Sequence, residues 1–293
     1  MKNYTMLTLF LFSGLVFNSC ISLDSDIKEI TVTEVQELPD KLNEVSGMTF
    51  VKDTLWVIQD SGNANKLYQI TTDGKLIKSI KINPAKNHDW EALTSDEEGN
   101  IYIGDFGNNG NKRKNLAIYK INHTDLKKEA IDSIEKIEFY YEDQEDFPPN
   151  KENLFYDCEA FLIKDDSFYL FTKNRSKNFD GTTHIYKIPN EPGEHKAILL
   201  NKYVTCDKFT ACSITDAAIS PDHNKVVLLS NKRMWIFTDF VEDNFVKGSL
   251  KEVQFDTYTQ REGVTFKDND LLLISDEKTK KVGGKIYEYK LEE

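Results

Sequence analysis

No Gly-x-Ser-x-Gly elbow, no Gly-Lys-Ser phosphate cradle and no His-Glu-x-x-His helix occurs anywhere in the 293 residues. Serine-elbow hydrolases, P-loop enzymes and helical zinc proteases are thereby excluded, since each needs its motif to build a nucleophile, a phosphate nest or a metal site. Cysteine is scarce, four in all, and no spacing fits a zinc or redox motif. Basic residues are outnumbered, 37 Lys and Arg against 49 Asp and Glu, for a formal net charge of −12. A field of that sign repels phosphate backbones at long range, so no nucleic-acid partner is expected. What the chain does have is 39% apolar and 12% aromatic residues, the composition of a globular protein with one large core or two modest ones.

The longest apolar run, Met6 to Phe17, is too short to span a bilayer with margin. Lys2 precedes it and small polar residues follow, so residues 1–19 read as an export signal. Ending at a cysteine, the segment resembles a bacterial lipoprotein signal. That likeness implies lipidation of Cys20, a tether over 20–28 and a folded domain over 29–293. "FNSC" departs from the commoner Leu-Ala-Gly-Cys pattern, and ordinary cleavage with Cys20 as a free thiol is the alternative. Lipidation would hold the domain in a bacterial cell envelope through the lipid alone. Loss of Lys2 with the signal takes the formal charge from −12 to −13. In an oxidising compartment Cys206 can bridge to Cys158 or to Cys212, and the cysteines otherwise read as small buried residues.

A repeat organises the rest. "SGMTFVKDTLWVIQD" (46–60), "EALTSDEEGNIYIGD" (91–105), "EAFLIKDDSFYLFTK" (159–173) and "EGVTFKDNDLLLISD" (262–276) share one register. "DAAISPDHNKVVLLSN" (216–231) is a fifth copy with one extra turn residue. Each reads as a strand, a polar turn and a second strand, with polar residues at both ends. A third strand follows every copy ("KLYQI", "AIYKI", "HIYKI", "MWIF", "KIYEY"), and a fourth follows the first four ("LIKSIKI", "IEKIEFYY", "AILLNKYV", "SLKEVQF"). The missing fourth strand is present at the other end of the chain, in "EITVTEVQEL" from Glu29 to Leu38. Repeated four-stranded units predict an all-β, five-bladed β-propeller in which the N-terminal strand completes the last blade. A six-bladed ring would need another unit, and a two-sheet sandwich would not explain the repeat.

In such a ring the first strands line the channel and their first residues meet at one mouth. Ser46, Glu91, Glu159, Asp216 and Glu262 are those residues, with Glu44 beside Ser46. Carboxylates crowded there repel unless a cation sits among them, or unless they accept backbone N–H groups and pin the blades together. Oxygen ligands without histidine or thiolate suit Ca²⁺ first and Mg²⁺ or Mn²⁺ second. The loops after the second strands reach the same face. They bring Asp60 and Asp105, both in Asp-x-Gly-Asn turns, and the bases Lys112, Arg113, Lys173, Arg175, Lys232, Arg233 and Arg261. Acids inside and bases outside suit a metal-bound anion, with Asp60, Asp105, Lys173, Arg175 and Arg261 as substrate-binding candidates. A solvated rim is the plainer alternative. The segment from Gln144 to Glu159 can form a lid or the wall of a pocket, and His88 is a candidate base.

The motifs "NEVSGMTF", "DWEALTSDEEGNIYIGDFG", "DCEAFLIKDDSFYLFTKNR" and "REGVTF" resemble those of the calcium-activated nucleotidase (apyrase) family. That resemblance implies a five-bladed propeller with a central Ca²⁺ that hydrolyses nucleoside di- and triphosphates. It sets Ser46, Glu91, Glu159, Asp216 and Glu262 at cation-lining positions, and Arg175 and Asp60 at the substrate face. Asp216 stands where that family has a small hydroxyl residue. The whole chain also looks like a group of bacterial lipoprotein propellers described as phytase- or esterase-like. Three readings follow: an envelope Ca²⁺-dependent phosphohydrolase, a monomeric binding module for a small anion or a cell-surface glycan, peptide or protein, and a lactonase-like metal enzyme.

Overall fold

A computed structural model of the chain describes Met1, residues 27–280 and residues 282–292. Cys20 and almost all of the signal and tether segments lie outside the described residues. Among the described residues twenty-two strands run in chain order, the first being β1 (Lys28–Ile30), β2 (Thr33–Glu37), β3 (Val45–Val51), β4 (Thr54–Gln59), β5 (Lys66–Ile70), β6 (Leu76–Ile82), β7 (Trp90–Ser95) and β8 (Ile101–Asp105). Next are β9 (Leu116–Ile121), β10 (Ala130–Ile131), β11 (Glu135–Tyr141), β12 (Asp157–Lys164), β13 (Ser167–Lys173), β14 (Thr182–Pro189), β15 (Gly193–Val204) and β16 (Ile214–Ile219). The last are β17 (Val226–Ser230), β18 (Arg233–Thr238), β19 (Ser249–Phe255), β20 (Arg261–Phe266), β21 (Leu271–Asp276) and β22 (Lys285–Lys290).

Each sequence repeat is an antiparallel meander: β3 to β6, β7 to β9 with β11, β12 to β15, β16 to β19, and β20 to β22. β2 pairs antiparallel with β22, so a strand from the start of the described domain completes the sheet at its end. Three parallel pairings were not legible in the repeat. β1 adds to β19, β10 adds to β6, and β11 pairs with β15, which joins two meanders into one eight-stranded sheet. That sheet curls until its terminal strands, β7 and β12, pack against each other.

The first strands pack side by side in a closed cycle, β3 on β7, β7 on β12, β12 on β16, β16 on β20 and β20 on β3. This is an all-β, propeller-type architecture. Burial explains the strand compositions. β4, β8 and β17 lie between neighbouring sheets and are almost wholly apolar, whereas outer β15 alternates exposed and half-buried residues because one face meets water. Every hydrophobic cluster forms between two successive meanders, as where Tyr102, Phe106 and Phe139 meet Phe161, Phe168 and Tyr186. Near the axis Gly47 permits the approach of β3 to β7, since a Cβ there would stand 2.7 Å from the Leu93 nitrogen. Among the described residues one disulfide, Cys206–Cys212, closes the loop before β16, and Cys158 is free and buried.

Candidate functional site: an acidic mouth

Every first strand carries a β-bulge at its start, and the bulge selects which side chain reaches the mouth. The register skips Ser46, Glu91, Glu159, Thr215 and Glu262. A bulge leaves one residue unpaired and re-aims its side chain. In the fourth meander the ladder closes on Ile214 opposite Ser230, so the bulge falls on Thr215 and not on Asp216. A one-residue slip turns a strand side chain to the opposite face. Asp216 accordingly does not join the others: its carboxylate is fully buried and accepts the Val264 N–H (2.7 Å) and the Ala217 N–H (2.8 Å). It pins β16 to β20.

The two hydroxyl bulges share one geometry. Ser46 donates to the carbonyl of Trp90 at 2.7 Å, and Thr215 donates to the carbonyl of Arg261 at 2.6 Å. Each contact lands one residue before the next bulge, Glu91 or Glu262. With its proton committed to a carbonyl, each oxygen keeps its lone pairs for another donor or a cation.

Around the bulges lie further acids. Oxygens of Asp60, Asp89 and Glu91 all stand within 4.8 Å of one another. Burial, then Glu159, Asp60 and Asp89, push the Glu91 carboxyl well above its ordinary value. Burial also raises Asp60 and Asp89. Across the mouth, burial raises Glu262 to about 7 against the pull of Lys173, and burial with Glu262 raises Glu277 to about 9. Asp157 is raised to about 7 by burial and Glu159, although Arg175 opposes this. Burial works against ionised Glu159, but Lys173 and Arg175 hold it below its usual range. The mouth is therefore electrostatically divided between an acid-only side and a neutralised side.

The neutralised side is built by two bases. Lys173 Nζ donates to Glu159 Oε2 at 3.0 Å, while Arg175 donates through Nη2 to Glu159 Oε1 at 2.7 Å and through Nε to Asp157. Phe209, inside the Cys206–Cys212 loop, sets its ring 5.7 Å from the Arg175 guanidinium. Of the other expected bases, Arg261, Arg113, Lys232 and Arg233 are committed elsewhere. Arg261 is fully buried, donates to the carbonyls of Asn231 (2.7 Å) and Thr257 (3.1 Å), and stacks on Phe255. Arg113 binds Asp105 and the Gly107 carbonyl, Lys232 binds the carbonyls of Phe255 and Asp256, and Arg233 binds Glu252. Asp105 is fully buried and occupied by Arg113, His88 and Tyr119. Thus Lys173, Arg175 and Asp60 meet at the mouth, whereas Asp105 and Arg261 do not.

Sequence reasoning missed Asp89, Asp157, Glu277 and Thr215. The signal for two of them is a recurring Asp-x-Glu, in "HDWE" and "YDCE", which sets a second carboxylate two residues before the bulge. The segment from Gln144 to Glu159 is tied down as a wall: Asn108 and Asn111 of the loop after β8 bind the Tyr156 carbonyl and N–H, and Tyr156 donates to Asp143.

A family model described as "SdiA-regulated" matches residues 23–280. No curated protein matches the chain. Among solved structures, the PQQ-bound aldose sugar dehydrogenase of Streptomyces coelicolor is similar with a TM-score of 0.54 and 11% identity, over 90% of this chain and 98% of that one. A hydrazine synthase chain of Kuenenia stuttgartiensis is similar with a TM-score of 0.39 and 12% identity, over 83% of this chain. This chain spans 58% of that one's length. The dehydrogenase likeness shows the fold alone: a propeller.

Proposed function

The chain belongs to the SdiA-regulated family, a β-propeller-type family, and from that premise we propose a five-bladed, envelope-anchored propeller whose acidic mouth holds a divalent cation and acts on a phosphate ester. The carrying observation is the closed cycle of first strands, each with a bulge at its start that falls on Ser46, Glu91, Glu159, Thr215 or Glu262. The donor set fits a hard cation: oxygen only, two hydroxyls whose protons point away, and carboxylates that burial makes costly to ionise without one. Ca²⁺ suits it first, with Mg²⁺ and Mn²⁺ as alternatives. The likeness of the blade motifs to calcium-activated nucleotidases agrees with that choice. The lipid anchor at Cys20 rests on the signal-like segment, and the Cys206–Cys212 disulfide suits an oxidising compartment.

A bound cation would supply charge neutralisation for a phosphate and acidify a water. The chain's own residues supply the rest. Lys173 has donors to spare beyond Glu159, and Arg175 donates through Nε and Nη2 only, so both can bind and orient phosphate oxygens from the neutralised side. A carboxylate of the acid-only side can take the proton of the attacking water and pass it to the departing oxygen, so that hydrolysis yields phosphate and the free alcohol. The specific observation favouring a second reading, a non-catalytic anion-binding module, is Glu159, whose two oxygens are already taken by bases. Turnover of a panel of nucleotides and simple phosphate esters, with Ca²⁺, Mg²⁺, Mn²⁺ or chelator, decides between them. Cation-dependent release of phosphate supports hydrolysis, and binding without turnover leaves the module.

A further inference from the structure

The acid-only side of the mouth has a geometry of its own. Asp60 follows β4, Asp89 lies on the approach to β7, and Glu91 is the β7 bulge, so three separate backbone positions bring their oxygens within 4.8 Å of one another. The backbones are locked before any ion arrives. Asn87 Nδ2 donates to the carbonyls of Gln59 and Asp60, both at 2.9 Å. The Asp89 N–H donates to Asp105 and its carbonyl accepts from the Gly107 N–H, both at 3.2 Å.

Glu91 is the second, independent observation. The residue is only 7% exposed, and among the described residues none donates a hydrogen bond to its carboxyl group. A buried carboxylate left without a donor is costly. The nearest bases pair with other groups: Arg113 with Asp105 and the Gly107 carbonyl, Lys173 with Glu159, and Arg175 with Asp157 and Glu159. Gly107 also leaves the space in which the carboxylates stand, since a Cβ there would be 2.2 Å from Glu91 Oε1 and 2.6 Å from Asp89 Oδ2.

We propose that Asp60, Asp89 and Glu91 bind a second divalent cation, off the axis, with Glu91 shared between it and the axial site of the bulge ring. The sharing rests on the function proposed above; the off-axis site does not. Three carboxylates from rigid positions suit a small oxygen-seeking ion that keeps several waters, Mg²⁺ or Mn²⁺. A shared carboxylate between two such sites fits a ligand with several anionic oxygens, as on a phosphoryl group.

The test is the number of Mn²⁺ ions bound by the full chain in detergent, by titration calorimetry and by the electron paramagnetic signal of free Mn²⁺. The proposal expects two ions in wild type and one in Asp89→Asn and Asp60→Asn, with Glu262→Gln losing the other. Unfolding without metal checks that each variant is folded, and the two Asp variants guard against failure of either. One ion that Asp89→Asn and Asp60→Asn both leave in place overturns the off-axis site and leaves the axial reading intact. One ion lost in Asp89→Asn yet kept in Glu262→Gln supports the off-axis site and sinks the axial one. No ion in wild type overturns both.

Discussion

Ser46 donates its hydroxyl proton to the backbone carbonyl of Trp90 at 2.7 Å, the residue immediately before Glu91. The contact couples the bulge of one meander to the bulge of the next, and Thr215 repeats it with Arg261. Removing the Ser46 hydroxyl leaves a buried carbonyl short of a donor, at about 1–3 kcal/mol. Ser46→Ala should lose that much stability in urea unfolding and bind Ca²⁺ more weakly. Unchanged affinity would remove Ser46 from the cation's surroundings.

Asp216 separates stabilising acids from cation-binding ones. Asp216→Ala strands the Val264 N–H in the interior and should cost about 1–3 kcal/mol or more. Ca²⁺ affinity of the folded fraction should stay at the wild-type value. Calorimetry showing a large loss of affinity would return Asp216 to the cation site.

Arg175 holds two buried carboxylates at once. Truncation to Ala leaves Asp157 and Glu159 underpaired, for which about 3–5 kcal/mol is typical; with the Arg175 side chain 22% exposed, the lower end of that range is expected here. Arg175→Lys should restore part of the stability but not the two-carboxylate fork. Ligand affinity should fall in both variants, while the acid-only side keeps its cation. Denaturant unfolding with parallel metal titration measures the two effects separately.

His184 sets a pH dependence away from the mouth. Its ring stacks on Phe155 with centroids 4.6 Å apart and bonds the Tyr186 hydroxyl, and burial, helped by Lys202, lowers its pKa to about 4. The unfolded chain takes up this proton near 6.5 and the folded chain only near 4. The associated stability is therefore complete above about pH 6.5 and lost as pH falls through about 4, roughly 3 kcal/mol in all. His184→Gln should flatten that part of the curve. Equal slopes for variant and wild type between pH 7 and 4 would contradict the assignment.

β2 closes the sheet of β20 to β22. Deleting residues 27–38 bares the edge of β22 and removes Leu38 from the core, so the shortened chain should aggregate or melt early. Light scattering and thermal melting read this directly, and a stable monomer would show that β2 is dispensable.

The architecture was legible because five hairpins share polar ends and apolar strands, and the orphan segment 29–38 signalled a pairing partner for the last sheet. The bulges were not. A bulge changes no residue type, so Thr215 looks like any strand threonine, and placing this copy at 216–231 with one extra turn residue set the inferred site one residue on, at Asp216. Charge at the rim misled for another reason. The partners of Arg261 are carbonyls from Asn231 and Thr257, brought together only by tertiary packing. Asp89 and Asp157 could have been found, since each stands two residues before a ring glutamate.

The central claim is that the bulge ring binds a divalent cation. Its most direct test is thermal unfolding with and without saturating Ca²⁺, in wild type and in Glu91→Gln/Glu262→Gln. An ion bound only by the folded ring stabilises by about 2.7 kcal/mol at a hundredfold excess over Kd. The account predicts a clear rise in wild-type melting temperature, reversed by chelator, and no rise in the double variant. An identical melting temperature with Ca²⁺, Mg²⁺, Mn²⁺ and chelator in wild type would contradict it.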